Sequence, residues 1–153
     1  MLRSLVGSEM CIRDRVNALS NLPLRQELLD RDCRRVFAAL QTEALRVMAR
    51  AGITPAQVTA VSPTLLPHVL RLPNWLFTRL AKRMLQIDAT ARSSMWDDLE
   101  AGRVTEIDAL CGAVVRLAAQ QGMAAPLNAR MCELLGGPRQ RLTGRQMRQM
   151  LGL

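Results

Sequence analysis

The sequence has no tyrosine, one histidine (His68) and one lysine (Lys82) in 153 residues. Those shortages exclude chemistry built on a tyrosine acid or a histidine pair, and they make any lysine-dependent step rest on Lys82 or on nothing. No GxGxxG and no GxxxxGK[ST] occurs, so no glycine-rich loop of the dinucleotide or P-loop kind cradles a phosphate. The four cysteines, Cys11, Cys33, Cys111 and Cys132, contain no CxxC and no zinc spacing. No stretch of eighteen apolar residues escapes interruption by Arg, Asp, Pro or Gln, which excludes an ordinary spanning helix. No h-region followed by a small-residue cleavage site opens the chain. These features together imply a reducing, cytoplasmic setting.

What is present is apolar and basic. Hydrophobic residues make up 49% and charged residues 22%, enough for one packed domain and incompatible with disorder along the whole chain. The net charge is +8, and arginine supplies nearly all the positive side, as expected of a GC-rich coding sequence. Half of the excess lies in residues 138–153, which hold Arg139, Arg141, Arg145 and Arg148 and no acid. A pI near 11.1 suggests polyanion partners. The alternative function is therefore a basic helical interaction module that contacts nucleic acid or a partner through that tail. The charge is dispersed and no aromatic residues interleave with it, so the tail reads as a solvated, frayed terminus and no nucleic acid partner is expected. Positions 141, 145 and 148 would line one face of a helix.

Periodicity is helical from Val16 onward. Asp32 is placed to cap a helix whose apolar face is Cys33, Val36, Phe37, Leu40, Ala44, Val47 and Met48, with Gly52 as its C′ residue. Leu65, Leu66, Val69 and Leu70 form a short apolar turn. Pro73 fits the first turn of a helix with Trp75, Leu76, Leu80 and Met84 inward. Asp88 and Thr105 can cap two further helices. The second carries Ile107, Leu110, Cys111, Val114, Leu117 and Ala118 on one face and ends at Gly122. Pro126 opens a last core helix with Leu127, Met131, Leu134 and Leu135, stopped by Gly136 and Gly137. No alternating strand run occurs. The fold class is all-α, about six helices in one bundle-like domain. Cys33 and Cys111 read as small buried hydrophobes, Trp75 and Trp96 as core anchors, and His68 as a packed or surface histidine.

Residues 1–15, MLRSLVGSEMCIRDR, show no sustained period. The string SLVGSEMCIRDR resembles the conceptual translation of a sequencing-library adapter. The expected organisation is a non-native or disordered segment over 1–15, a helical domain over 16–137 and a basic tail over 138–153.

The most distinctive run is SSMWDDLEAGRVTEID, residues 93–108. On residue chemistry, Ser94 with Asp97 and Thr105 with Asp108 each resemble a capping box. In the wider run SSMWDDLEAGRVTEIDALCGAVVRLAAQQGMAAPLN, the residues Ser93, Ser94, Met95, Asp98, Arg103, Thr105, Glu106, Ile107, Asp108, Leu110, Gly112, Val114, Gly122, Pro126 and Asn128 stand in one register. That pattern resembles the C-terminal domain of the ketopantoate reductase (2-dehydropantoate 2-reductase) family over roughly residues 16–135. The resemblance implies a helical domain similar to the C-terminal domain of 6-phosphogluconate dehydrogenase. It implies a two-domain enzyme that reduces 2-dehydropantoate to pantoate with NADPH, in the route to pantothenate and coenzyme A.

The resemblance also implies roles for two residues. Ser94 would hydrogen-bond the substrate, a small 2-keto acid, and Glu106 would be the active-site carboxylate that orients the catalytic ammonium. Hydride delivery to a ketone carbon builds an alkoxide, which needs a cationic proton donor nearby, and a carboxylate keeps that donor charged and aimed. The family's lysine donor would fall in the stretch that contains Arg13 and Arg15, Lys82 matches no catalytic position, and Ala91 stands where the family often has asparagine. With the nucleotide-binding half absent from these residues, the expectation is a truncated reductase, inactive alone and without tight cofactor binding.

Overall fold

The computed structural model describes residues 16, 19–20, 22, 24–55, 62–80, 107–136 and 141–153. Seven helices are defined among them: α1 (Leu24–Leu29), α2 (Arg31–Arg50), α3 (Leu66–Leu70), α4 (Asn74–Leu80), α5 (Ile107–Gln120), α6 (Pro126–Gly136) and α7 (Gly144–Leu151). No strand occurs among the described residues, and the all-α expectation holds. No helix there is long and apolar enough to cross a membrane.

The 20-residue α2 is the axis of the domain, packed against α1, α3, α5, α6 and α7. Its composition explains why. Cys33, Val36, Phe37, Leu40, Ala44, Val47 and Met48 recur at helical spacing and are all buried. The small residues Ala38 and Ala44, both fully buried, let neighbouring helices approach closely. Full burial of each large apolar side chain stabilises by about 1.5–3 kcal/mol, which selects this phase of the helix. Val114, Leu117 and Ala118 of α5 and Met131, Leu134 and Leu135 of α6 complete the same core, as the periodicity predicts. The burial of Ile107, Leu110 and Cys111 lies outside the described residues.

The stop signals act as expected. Gly52 (φ 70°) and Gly122 (φ 66°) adopt the left-handed conformation. The amides of Ile53 and Met123 then donate back to Met48 and Ala118, at 2.9 Å each. These 6→1 bonds are Schellman closures of α2 and α5.

Three expectations change. Asp30, not Asp32, caps α2: its carboxylate accepts from the amides of Asp32 (2.8 Å) and Cys33 (3.2 Å). Asp32 is thereby free to pair with Arg148 across the domain, 2.6 Å away. In α4 the buried residue is Phe77, while Trp75 and Leu80 are 70% and 63% exposed; Phe77 faces inward, with Arg34 packed over its ring at 4.1 Å. Trp75 is therefore no core anchor, and Trp96 and Met84 lie outside the described residues. Finally, the C-terminal segment is not a frayed arm.

That segment forms α7. Thr143 and Gln146 make a reciprocal capping box at its start, and Gly152 (φ 74°) closes its end. Leu142, Met147 and Leu151 are buried against the core. The Leu142 amide donates to the Leu19 carbonyl at 2.9 Å, tying this end of the chain to its beginning. Arg141 precedes α7, so the tail arginines do not share one helical face.

Candidate functional site

Ser94 and Glu106, the residues expected to bind and orient substrate, lie outside the described residues, as do Lys82, Ala91, Arg13 and Arg15. The structure does describe the helix that follows Glu106 in the chain. Helix α5 starts at Ile107, the next residue in the chain. Its 14 residues run to the Gly122 closure, and α6 returns after the short turn over 121–125, packed along it. The two make a helical hairpin.

The pattern residues that are described serve this hairpin. Val114 is core and Gly122 supplies the left-handed turn. Pro126 opens α6, where a missing N–H leaves no orphan donor. Asn128 is fully buried. Its side-chain amide donates to the Leu40 carbonyl (3.3 Å) and to Glu43 Oε1 (2.9 Å) on α2. Glu43 also accepts from the amides of Leu127 (3.0 Å) and Asn128 (2.8 Å). Its carboxylate therefore caps the first turn of α6 from another helix, an anion at the positive end of a helix. Glu43 carries no local signal of this role in the sequence, because its partners are 84 and 85 residues away.

A second polar lock holds the opposite side. Arg34 is 1% exposed. Its Nε donates to the Leu70 carbonyl (3.1 Å), Nη1 to Leu28 (2.8 Å), and Nη2 to Leu72 (3.0 Å) and to Asn74 Oδ1 (2.6 Å). One guanidinium thereby ties the end of α1, the end of α3 and the start of α4 to α2. Burial lowers its pKa, Arg31 adds to that, and Asp30 opposes it; it stays a cation at any ordinary pH.

The remaining candidates are chemically quiet. Cys33 is buried, and its thiol is pushed far up, first by burial and then by the charges of Asp30, Glu27 and Asp32. It is an inert hydrophobe, as the periodicity implies. His68 is exposed at the rim of a shallow cavity with Thr42, Arg46, Thr64 and Arg71. No group of three or more His, Cys, Asp or Glu side chains able to hold a metal occurs among the described residues.

The comparison with protein families returns one model, the ketopantoate reductase PanE/ApbA C-terminal domain, over residues 10–139. It takes in residues 10–15 of the adapter-like stretch and stops ahead of α7. No curated protein and no solved structure gives a significant match. The helical architecture and a match over most of the 153 residues place the chain in the ketopantoate reductase family, as its C-terminal domain.

Proposed function

We propose that this chain is the substrate-side helical domain of an NADPH-dependent reductase that converts 2-dehydropantoate to pantoate. The observation that carries the reading is the family match over residues 10–139, which includes the SSM and R-x-TEID run. In this reading Ser94 hydrogen-bonds the 2-keto acid. Glu106 stands in sequence immediately ahead of α5, whose dipole favours a carboxylate over the neutral acid near its start. An anion there suits an orienting role toward a lysine ammonium better than proton donation.

NADPH, when bound to a complete enzyme, supplies the hydride. These 153 residues do not fit it unaided: they carry no dinucleotide loop, and Lys82 matches no catalytic position. In this reading the chain's own contribution is to bind the keto acid and to present Glu106 directly ahead of the α5–α6 hairpin. The purified 153-residue chain is expected to oxidise no NADPH with 2-dehydropantoate; turnover by it alone would overturn the half-site reading. Residues 16–153 fused behind a family member's nucleotide-binding half and lysine-bearing helix should reduce 2-dehydropantoate. Glu106→Gln in that fusion should lower kcat by about 10²-fold or more. A folded fusion indifferent to Glu106→Gln and Ser94→Ala would sink the assignment of both residues.

A further inference from the structure

Four arginines line a cavity of about 250 Å³ where the start of α2, the corner after α3 and the end of α7 meet. Its walls are Arg31, Arg35, Ala39, Arg71, Arg148 and Leu153. Arg31 and Arg35 lie one turn apart on α2 and share a face.

The acids nearby offset this charge only in part. Asp32 pairs with Arg148. Asp30 is engaged by the amides of Asp32 and Cys33. Among the described residues Arg71 reaches a neutral hydroxyl, that of Thr42 at 3.3 Å. Arg31 and Arg35 are exposed and make no ion pair or hydrogen bond with any described residue. Arg148 Nε is buried without an acceptor among the described residues. Folding thus gathers four guanidiniums from three separate segments around one concavity, against two carboxylates, that of Asp32 on Arg148 and the terminal carboxylate of Leu153, which leaves an excess of positive charge. Like charges held this close repel unless an anion joins them.

We propose that this cavity is a binding site for a compact, multiply charged phosphate anion, gripped by Arg31, Arg35 and Arg71 against the wall that Asp32 fixes at Arg148. Guanidinium forks match the paired oxygens of phosphoryl groups. The volume lies just below the usual range of small-molecule pockets, about 300–1,000 Å³, which suits a diphosphate-sized group. A duplex backbone requires a row of contacts along an open surface, and the arginines here converge instead. The α7 wall lies beyond the family match, which ends at residue 139. The site is therefore a property of this chain and does not rest on the reductase reading.

Calorimetric titration of the full chain with sodium pyrophosphate at constant ionic strength tests the site. One saturable site per chain is expected. The Arg31→Ala/Arg35→Ala double variant should bind at least about tenfold more weakly, a loss on the scale of one charge-assisted contact, with an unchanged urea midpoint. Arg79→Ala, an exposed arginine elsewhere, should bind as the wild type does. Absence of saturation would overturn the proposal, as would equal weakening by Arg79→Ala. Steeply salt-dependent binding of duplex DNA without pyrophosphate binding would replace it with a nucleic-acid surface.

Discussion

Arg34→Met removes the guanidinium and keeps most of the apolar stem, so it isolates what the buried cation does. Four of the five guanidinium donors are used, three of them on backbone carbonyls. In the variant the Leu28 and Leu70 carbonyls lose these bonds in buried surroundings, at about 1–3 kcal/mol per group. The Leu72 carbonyl and Asn74 lie nearer solvent and recover water. Relief of the guanidinium's desolvation, several kcal/mol, opposes the loss. Loss of its contact over the Phe77 ring, 4.1 Å away, adds roughly 0.5–2 kcal/mol. The net expectation is destabilisation by about 1–4 kcal/mol, because no buried charge is left unpaired and the relieved desolvation offsets part of the lost bonding. For a chain of this size each kcal/mol moves Tm by roughly 2–4 °C, so a fall of about 2–16 °C is expected. Arg34→Lys keeps the charge but offers three donors on one atom, which cannot span carbonyls at the ends of two different helices. It should be no more stable than Arg34→Met. Urea unfolding followed by circular dichroism measures both. A change below about 1 kcal/mol in Arg34→Met, or full stability in Arg34→Lys, would refute the tethering argument.

Three further substitutions probe other contacts by the same assay. Glu43→Ala deprives the Leu127 and Asn128 amides of their acceptor and should cost about 1–2 kcal/mol, the upper range for a helix cap; a neutral result would mean water replaces the carboxylate. Gly144→Ala places a Cβ 2.7 Å from the Cys33 backbone nitrogen and 2.9 Å from Cys33 Sγ. Helix α7 must then move off α2, at about 1–3 kcal/mol, and a crystal structure with α7 undisplaced would contradict this. Gln41 is fully buried, and neither its amide nitrogen nor its oxygen has a partner among the described residues. Gln41→Met should therefore stabilise the chain by about 1–3 kcal/mol, the desolvation cost of the orphaned amide; a lower urea midpoint would show that the amide has a role.

Local rules read most of the helices, and they fail where distant groups decide. Gly52 and Gly122 follow the ends of apolar periods, and the left-handed closure needs nothing else. Asp30 and Asp32 are equivalent caps by local criteria. The choice falls on Asp30 because Asp32 has a partner in Arg148, 116 residues away. Trp75 and Phe77 compete for the inward side of a seven-residue helix, and Phe77 takes it, with Arg34 of α2 packed over its ring. The tail was legible in part: Thr143 with Gln146 is a capping box, and Leu142, Met147 and Leu151 are helically spaced. Its arginine density hides that pattern, since the feature that suggests solvation also supplies the bond from Arg148 to Asp32. Of the candidate site, the sequence pattern carries Ser94 and Glu106, the residues proposed for the chemistry, whereas Glu43 and Arg34 emerge only when α2 is packed.

The SSM-to-P-x-N pattern divides in two on physical grounds. Its described second part, Val114, Gly122, Pro126 and Asn128, builds a hairpin and locks it to α2 through Glu43. Glu106 precedes the far end of that hairpin, along a helix of about 20 Å at 1.5 Å per residue. A carboxylate that orients a partner ammonium acts through distance and angle, and misplacement by about 1 Å can cost 10²-fold in rate. A tilt of α5 by a few degrees about the Asn128 lock produces such a displacement over that length. If Glu106 has the role proposed above, the part-buried Asn128–Glu43 contact would be a positioning element for that reaction. In an active fusion, Glu43→Ala should lower kcat more than it raises KM, beyond what its stability loss explains. Unchanged kcat in the folded variant would confine Glu43 to holding the helices together.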